Sequence, residues 1–156
     1  QHQAELLARD QDSIAAATQG AVRVKADVVM KDERESNLRR LLNFGHTFGH
    51  AVERTSGLTH GEAVSVGMVV AARLSRARGL IRTGDVDRLE TMLDGLGLPI
   101  RIAADGEAAF DAMRKDKKRE GDAIFFVLLE KIGAATITPI ALDELKGVID
   151  DLCSDH

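Results

Sequence analysis

The sequence predicts a mainly α-helical bundle with one small β-hairpin in its C-terminal third. Three observations carry this expectation. Apolar residues recur at helical spacing along most of the chain. One stretch, "AVSVGMVVAA" (Ala63 to Ala72), is apolar on every side, as a helix at the centre of a bundle must be. Only "AIFFVLLEKIGAATIT" changes character, with two apolar, partly β-branched runs on either side of Lys131 to Gly133.

The elements follow in order. Residues 4 to about 30 place Leu6, Leu7, Ile14, Ala17, Ala21, Val24, Val28 and Val29 mostly at helical spacing, with Asp12 or Ser13 as a candidate cap. The charged connector "KDERESN" leads into a second helix, expected from about Asn37 to Arg54. Gly57 breaks it in "TSGLTHG", where Thr59 or His60 lies near the next cap. A third helix is expected from about Gly61 to Arg78, and a fourth from roughly Val86 to Leu96, ended by Gly97 and Pro99. "EAAFDAMRKDKK" reads as a short fifth helix, and the hairpin follows. A last helix gathers Leu142, Leu145, Val148, Ile149 and Leu152 on one face.

Composition narrows the function. At 156 residues the chain can bury a core of its own, and 44% hydrophobic with 29% charged residues is a soluble, globular balance. A net charge of −4 with no Trp or Tyr offers neither the basic field nor the stacking rings that nucleic acid needs. The run Ala63 to Ala72 is too short to cross a bilayer, so no membrane partner is expected. Cys153 is the only cysteine, which fits a reducing, cytoplasmic setting. The chain begins without Met, in what reads as a helix, as a piece of a longer protein would.

Chemistry concentrates in "LRRLLNFGHTFGHAVE" (Leu38 to Glu53). On a continuous helix, Arg39, Asn43, His46 and His50 fall on one face. A cation, an amide and two imidazoles are costly to bury unless something satisfies them. His46 and His50, four apart, can share a metal, or can be ordinary hydrogen-bonded histidines. Gly45 and Gly49 admit a second backbone or a ligand. His60 begins the apolar helix, where the helix dipole favours neutral imidazole, able to bind a metal; it is equally a turn residue. Lys25 in "VKADVV" reaches a cleft or merely snorkels. Glu35 can pair with Arg39 four residues on. In "RKDKKRE", Lys117 or Lys118 is presented just before the hairpin, or the run is a solvated face.

Taken in order, "VKADVV", "DERESNLRRLLNFGHTFGHAVE", "HGEAVSVGM", "DKK" and "FFVLLEKIG" resemble the C-terminal domain of the 3-dehydroquinate synthase family, from about residue 22 to 133. Other sugar-phosphate cyclases, such as 2-deoxy-scyllo-inosose synthase, share the GHT…H and HGE pattern. The resemblance implies conversion of 3-deoxy-D-arabino-heptulosonate 7-phosphate to 3-dehydroquinate, with NAD and a divalent metal, zinc or cobalt. It implies a homodimer and a small phosphorylated sugar-acid substrate. By this resemblance His46 and His60 are the metal pair and His50 faces the leaving phosphate. Lys25, Glu35, Arg39, Asn43 and Lys117 line the substrate site. The third metal ligand, a glutamate, and the NAD-binding α/β domain lie upstream in the family and are absent here, so residues 1–156 are expected to form one helical C-terminal domain, weak in metal binding and inactive alone. A non-catalytic metal- or anion-binding helical module is the alternative from another class. It predicts His46 and His50 as the sharing pair.

Overall fold

The computed structural model describes residues 2–32, 38–101, 106–117 and 123–154. Among these, the order is α1 (Gln3–Leu7), α2 (Gln11–Lys31), a 3₁₀ helix (Leu38–Asn43), α3 (His46–Ser56), α4 (His60–Ala77), α5 (Thr83–Gly95), α6 (Gly106–Lys117), β1 (Ala123–Lys131), β2 (Ala134–Ala141) and α7 (Leu142–Ser154). The expected helical bundle with one hairpin is what forms. None of the described helices is long and apolar enough to cross a membrane.

Helix α4 is the axis of the bundle. Its Val66, Val69, Val70, Ala71, Ala72 and Leu74 are fully buried, and α3, α5, α7 and β1 all pack on it. Small and β-branched side chains on every face let four neighbours approach one helix. Phe48 and Val52 fill the space between α3 and α4. The hairpin is antiparallel, with Ile124 opposite Ile140 and Phe126 opposite Thr138. Strand alternation turns Ile124, Phe126 and Leu128 to the core and leaves Phe125 exposed. A register shift between Leu129 and Lys131 precedes the turn, where Gly133 takes φ 91°. Leu129 N–H donates to Ser75 Oγ at 2.9 Å, and that hydroxyl donates to Ala71 O at 2.6 Å, tying the strand to α4.

The N-terminal segment is helical as expected, in two pieces, with the second starting slightly earlier than the expected cap. Arg9 takes φ 58° and Asp10, not Asp12 or Ser13, caps α2 by accepting from Ser13 N at 2.8 Å. No residue of α2 is buried, and Ile14, Val22, Val24 and Met30 are exposed. Ile14, Ala17, Ala21, Val24 and Val28 keep their helical spacing, but no described element covers that face. Helix α5 also begins three residues before the expected Val86, at Thr83, because the Asp85 carboxylate accepts from Arg82 N at 3.1 Å and nucleates an earlier turn.

The end of α4 is pinned by Arg78, whose Nε and Nη2 donate to the two Glu144 carboxylate oxygens at 2.7 Å each, while Nη2 also donates to Pro139 O at 3.0 Å. The guanidinium holds the Glu144 carboxyl below its ordinary value, and the pair in turn raises Arg78. A carboxylate with a depressed folded pKa stabilises above its unfolded pKa, about 4.3, and loses that contribution as pH falls through the folded value. The pair is partly solvated, so the effect is small, about 1 kcal/mol. Urea denaturation of Glu144→Gln should therefore fall below the parent chain at pH 7 and match it at pH 2. An equal deficit at both would show that charge pairing is not the cause.

Candidate metal and substrate site

The second helix expected over 37–54 is two helices. The 3₁₀ turn ends at Asn43 and α3 starts at His46, with Gly45 between them at φ 82° as a left-handed N-cap. Contact with α4 explains the break. A Cβ on Gly45 would lie 2.7 Å from Val64 O, one on Gly49 would lie 3.0 Å from Val64 Cα, and one on Gly67 would overlap the Gly45 carbonyl. The two backbones touch at these three glycines. Gly45 and Gly49 thus admit a neighbouring helix.

The single stripe through Arg39, Asn43, His46 and His50 consequently does not exist. Four residues along a 3₁₀ helix turn about 480°, so Arg39 and Asn43 leave its axis on different sides. Both are exposed, and Arg39 is tied down from another direction. Its N–H donates to Oδ2 of the buried Asp32 at 2.9 Å, and its Nε lies 4.0 Å from the same oxygen. Asp32, at the end of α2, carries no signal in the sequence that marks it for this role. Glu35, the expected partner of Arg39, lies outside the described residues, as does Lys118. Lys117 closes α6, and its side chain is also outside the description. Lys25 is exposed on α2.

Three histidines do converge. His46 and His50 stand one turn apart on α3, with ring centres 5.5 Å apart. His60 is the first residue of α4, 5.3 Å from His46 and 5.5 Å from His50. The α3–α4 connection positions it. Gly57 at φ 71° ends α3, and Thr59 caps α4. The Glu62 carboxylate accepts from Thr59 N at 2.8 Å and Thr59 Oγ1 at 2.7 Å, which holds its pKa below the ordinary value. The glutamate of "HGE" is therefore engaged in a helix cap.

Glu53, which the sequence motifs did not single out, sits beneath the imidazoles. Its Oε2 accepts from His60 Nδ1 at 3.0 Å and lies 3.5 Å from His50 Nδ1. These contacts, His60 first, hold the Glu53 carboxyl below its ordinary value. The spacing of Glu53, three residues beyond His50, is the one signal that could have found it. His46 Nδ1 lies 3.3 Å from the Phe44 carbonyl.

The donor set suits a borderline-soft divalent cation. Nitrogens about 2 Å from a zinc ion put tetrahedrally arranged imidazole centres roughly 5 Å apart, the spacing found here. His50, Glu53 and His60 also offer ligand atoms within 4.8 Å of one another. The sheet of the described residues is a two-stranded antiparallel hairpin, and no glycine-rich strand-to-helix turn occurs among them.

Residues 1–119 match the family described as 3-dehydroquinate synthase C-terminal. The chain belongs to this family. Among 3-dehydroquinate synthases, the protein of Acidithiobacillus ferrooxidans is 45% identical over 141 residues, covering 88% of this chain and 39% of the relative. That of Nitrosomonas europaea is 42% identical over 162 residues, covering 97% of this chain and 43% of the relative. The chain thus spans about two-fifths of the length of the curated synthases it matches. Solved structures agree on the fold. A 2-deoxy-scyllo-inosose synthase complexed with carbaglucose-6-phosphate, NAD⁺ and Co²⁺ is 28% identical with a TM-score of 0.63, over 78% of this chain and 36% of that one. A 2-epi-5-epi-valiolone synthase from Streptomyces hygroscopicus, with NAD⁺ and Zn²⁺ bound, has a TM-score of 0.79 over 99% of this chain and 46% of that one, at 22% identity. The synthase family's helical domain is therefore the architecture of this chain.

Proposed function

We propose that residues 1–156 are the C-terminal domain of a 3-dehydroquinate synthase, which converts 3-deoxy-D-arabino-heptulosonate 7-phosphate to 3-dehydroquinate and phosphate. The observation that carries this reading is the 5.3 Å approach of His46, from α3, to His60, from α4, in a chain of this family. In this reading His46 and His60 hold zinc or cobalt, and a ligand from the remainder of the protein completes the set. When bound, such an ion polarises substrate hydroxyls and acidifies them.

The chain's own residues bind and orient. Arg39 presents a planar guanidinium to the substrate carboxylate, from a backbone held by Asp32. His50 donates to the departing phosphate, and Asn43 bridges phosphate and hydroxyl. Lys25 and Lys117 add positive charge, with Glu35 beside Arg39. NAD is held by the remainder of the protein, and the working enzyme is a homodimer.

The second reading is another sugar-phosphate cyclase, favoured by the likeness to 2-deoxy-scyllo-inosose synthase. Arg39 separates the two, because glucose 6-phosphate carries no carboxylate for it to bind. The test is phosphate release from each substrate by the full-length protein and by this chain alone. Release from the heptulosonate phosphate by the full-length protein only is expected. Release from glucose 6-phosphate instead would overturn the substrate assignment, and turnover by the chain alone would overturn the division of labour.

A further inference from the structure

We infer that Glu53 is a positioning residue that fixes the tautomer and orientation of the metal-binding imidazole of His60. The inference rests on the metal reading above. A carboxylate at 3.0 Å from Nδ1 can only accept, so Nδ1 of His60 must carry the proton. In neutral imidazole that leaves the lone pair on Nε2, the nitrogen on the far side of the ring. The same oxygen stands 3.5 Å from Nδ1 of His50, too long a contact to fix that ring's tautomer. His46 obeys the rule through a different acceptor, since its Nδ1 faces the Phe44 carbonyl at 3.3 Å. His60 and His46 thus each turn Nδ1 to an acceptor from α3 or from the turn before it, which leaves Nε2 of each neutral ring as the lone-pair nitrogen.

Glu53 suits this role by its place in the fold. It lies one turn beyond His50 on α3, and its carboxylate crosses to the first residue of α4. It therefore spans the junction on which the His46–His60 distance depends. Its competitor Glu62 is spent on the Thr59 cap. Carboxylates that receive the second N–H of a metal-binding histidine typically matter by about 10–100-fold in metal affinity.

The test is Co²⁺ titration of the chain, read by its d–d absorption, for the parent, Glu53→Gln, Glu53→Asp and His60→Ala, with urea denaturation of each. The expected result for Glu53→Gln is a roughly 10–100-fold weaker Co²⁺ affinity with the absorption band unchanged in shape and the denaturation midpoint held. Glu53→Asp should recover part of the loss. Unchanged affinity in Glu53→Gln overturns the inference. So does a loss equal to that of His60→Ala with an altered band, because Glu53 is then itself a ligand. A loss matched by a lowered midpoint also overturns it, since the role is then structural. If His60→Ala binds Co²⁺ as the parent does, the metal reading fails first, independently of Glu53.

Discussion

Gly67→Ala should destabilise the chain by about 3 kcal/mol and weaken metal binding in the same step. Overpacking a well-fitted interior usually costs about 1–3 kcal/mol. Here the upper end applies, because the new methyl group meets backbone. It would overlap the Gly45 carbonyl and lie 2.8 Å from Gly49 N. Neither atom can rotate aside as a side chain would. The gain in helix propensity from Gly to Ala, about 1 kcal/mol, recovers only part of the cost. The sole relief is for α3 to move off α4. His46 and His50 travel with α3 while His60 stays with α4, so the imidazoles separate as the helices do. Gly61→Ala is the control on the same helix. Nothing lies within 4 Å of its added Cβ, so its stability should hold or rise slightly. Urea denaturation of both variants checks this. Equal midpoints for Gly67→Ala and the parent would refute the close helix contact.

That contact also accounts for which features the sequence revealed and which it hid. Helix α4 was legible because a helix apolar on every side is stable only when neighbours enclose it, and the hairpin because β-branched runs flank Lys131 to Gly133. The break between the 3₁₀ helix and α3 was not. Periodicity at 100° per residue presumes an unbroken helix, and the left-handed turn at Gly45 is set by Gly67, over twenty residues away. The histidines were legible by type and by motif, and the 5.3–5.5 Å triangle brings them together. Their supports were less visible. Asp32 and Glu53 are two of 25 acidic residues, and their partners come from other elements. Helix α2 shows the reverse case. Helical spacing there was real, but spacing alone says nothing about whether a partner surface is present.

The second large effect separates the three histidines by function. His46→Ala and His60→Ala should each weaken Zn²⁺ or Co²⁺ binding by more than about 100-fold, beyond the loss typical of an outer partner. His50→Ala should change it by only a few-fold, while lowering turnover in the full-length protein. Ring spacing does not decide between the pairs, since 5.3 and 5.5 Å serve a metal equally well. The architecture gives the reason for the expectation. His46 and His60 sit at the first positions of two helices whose starts are fixed by Gly45 and by the Thr59 cap. Their Cα positions are thereby fixed, and Nδ1 of His60 is further held by Glu53 at 3.0 Å. His50 lies a turn inside α3, is 58% exposed at its side chain, and points its Nδ1 toward Glu53 over a longer 3.5 Å. With the longer contact to Glu53, it is freer than His60 to follow a substrate group, as a donor to phosphate must. Calorimetric titration of the three variants checks the division. Metal binding abolished by His50→Ala and kept by His60→Ala would reverse the assignment, and would restore the helical metal-binding module built on His46 and His50.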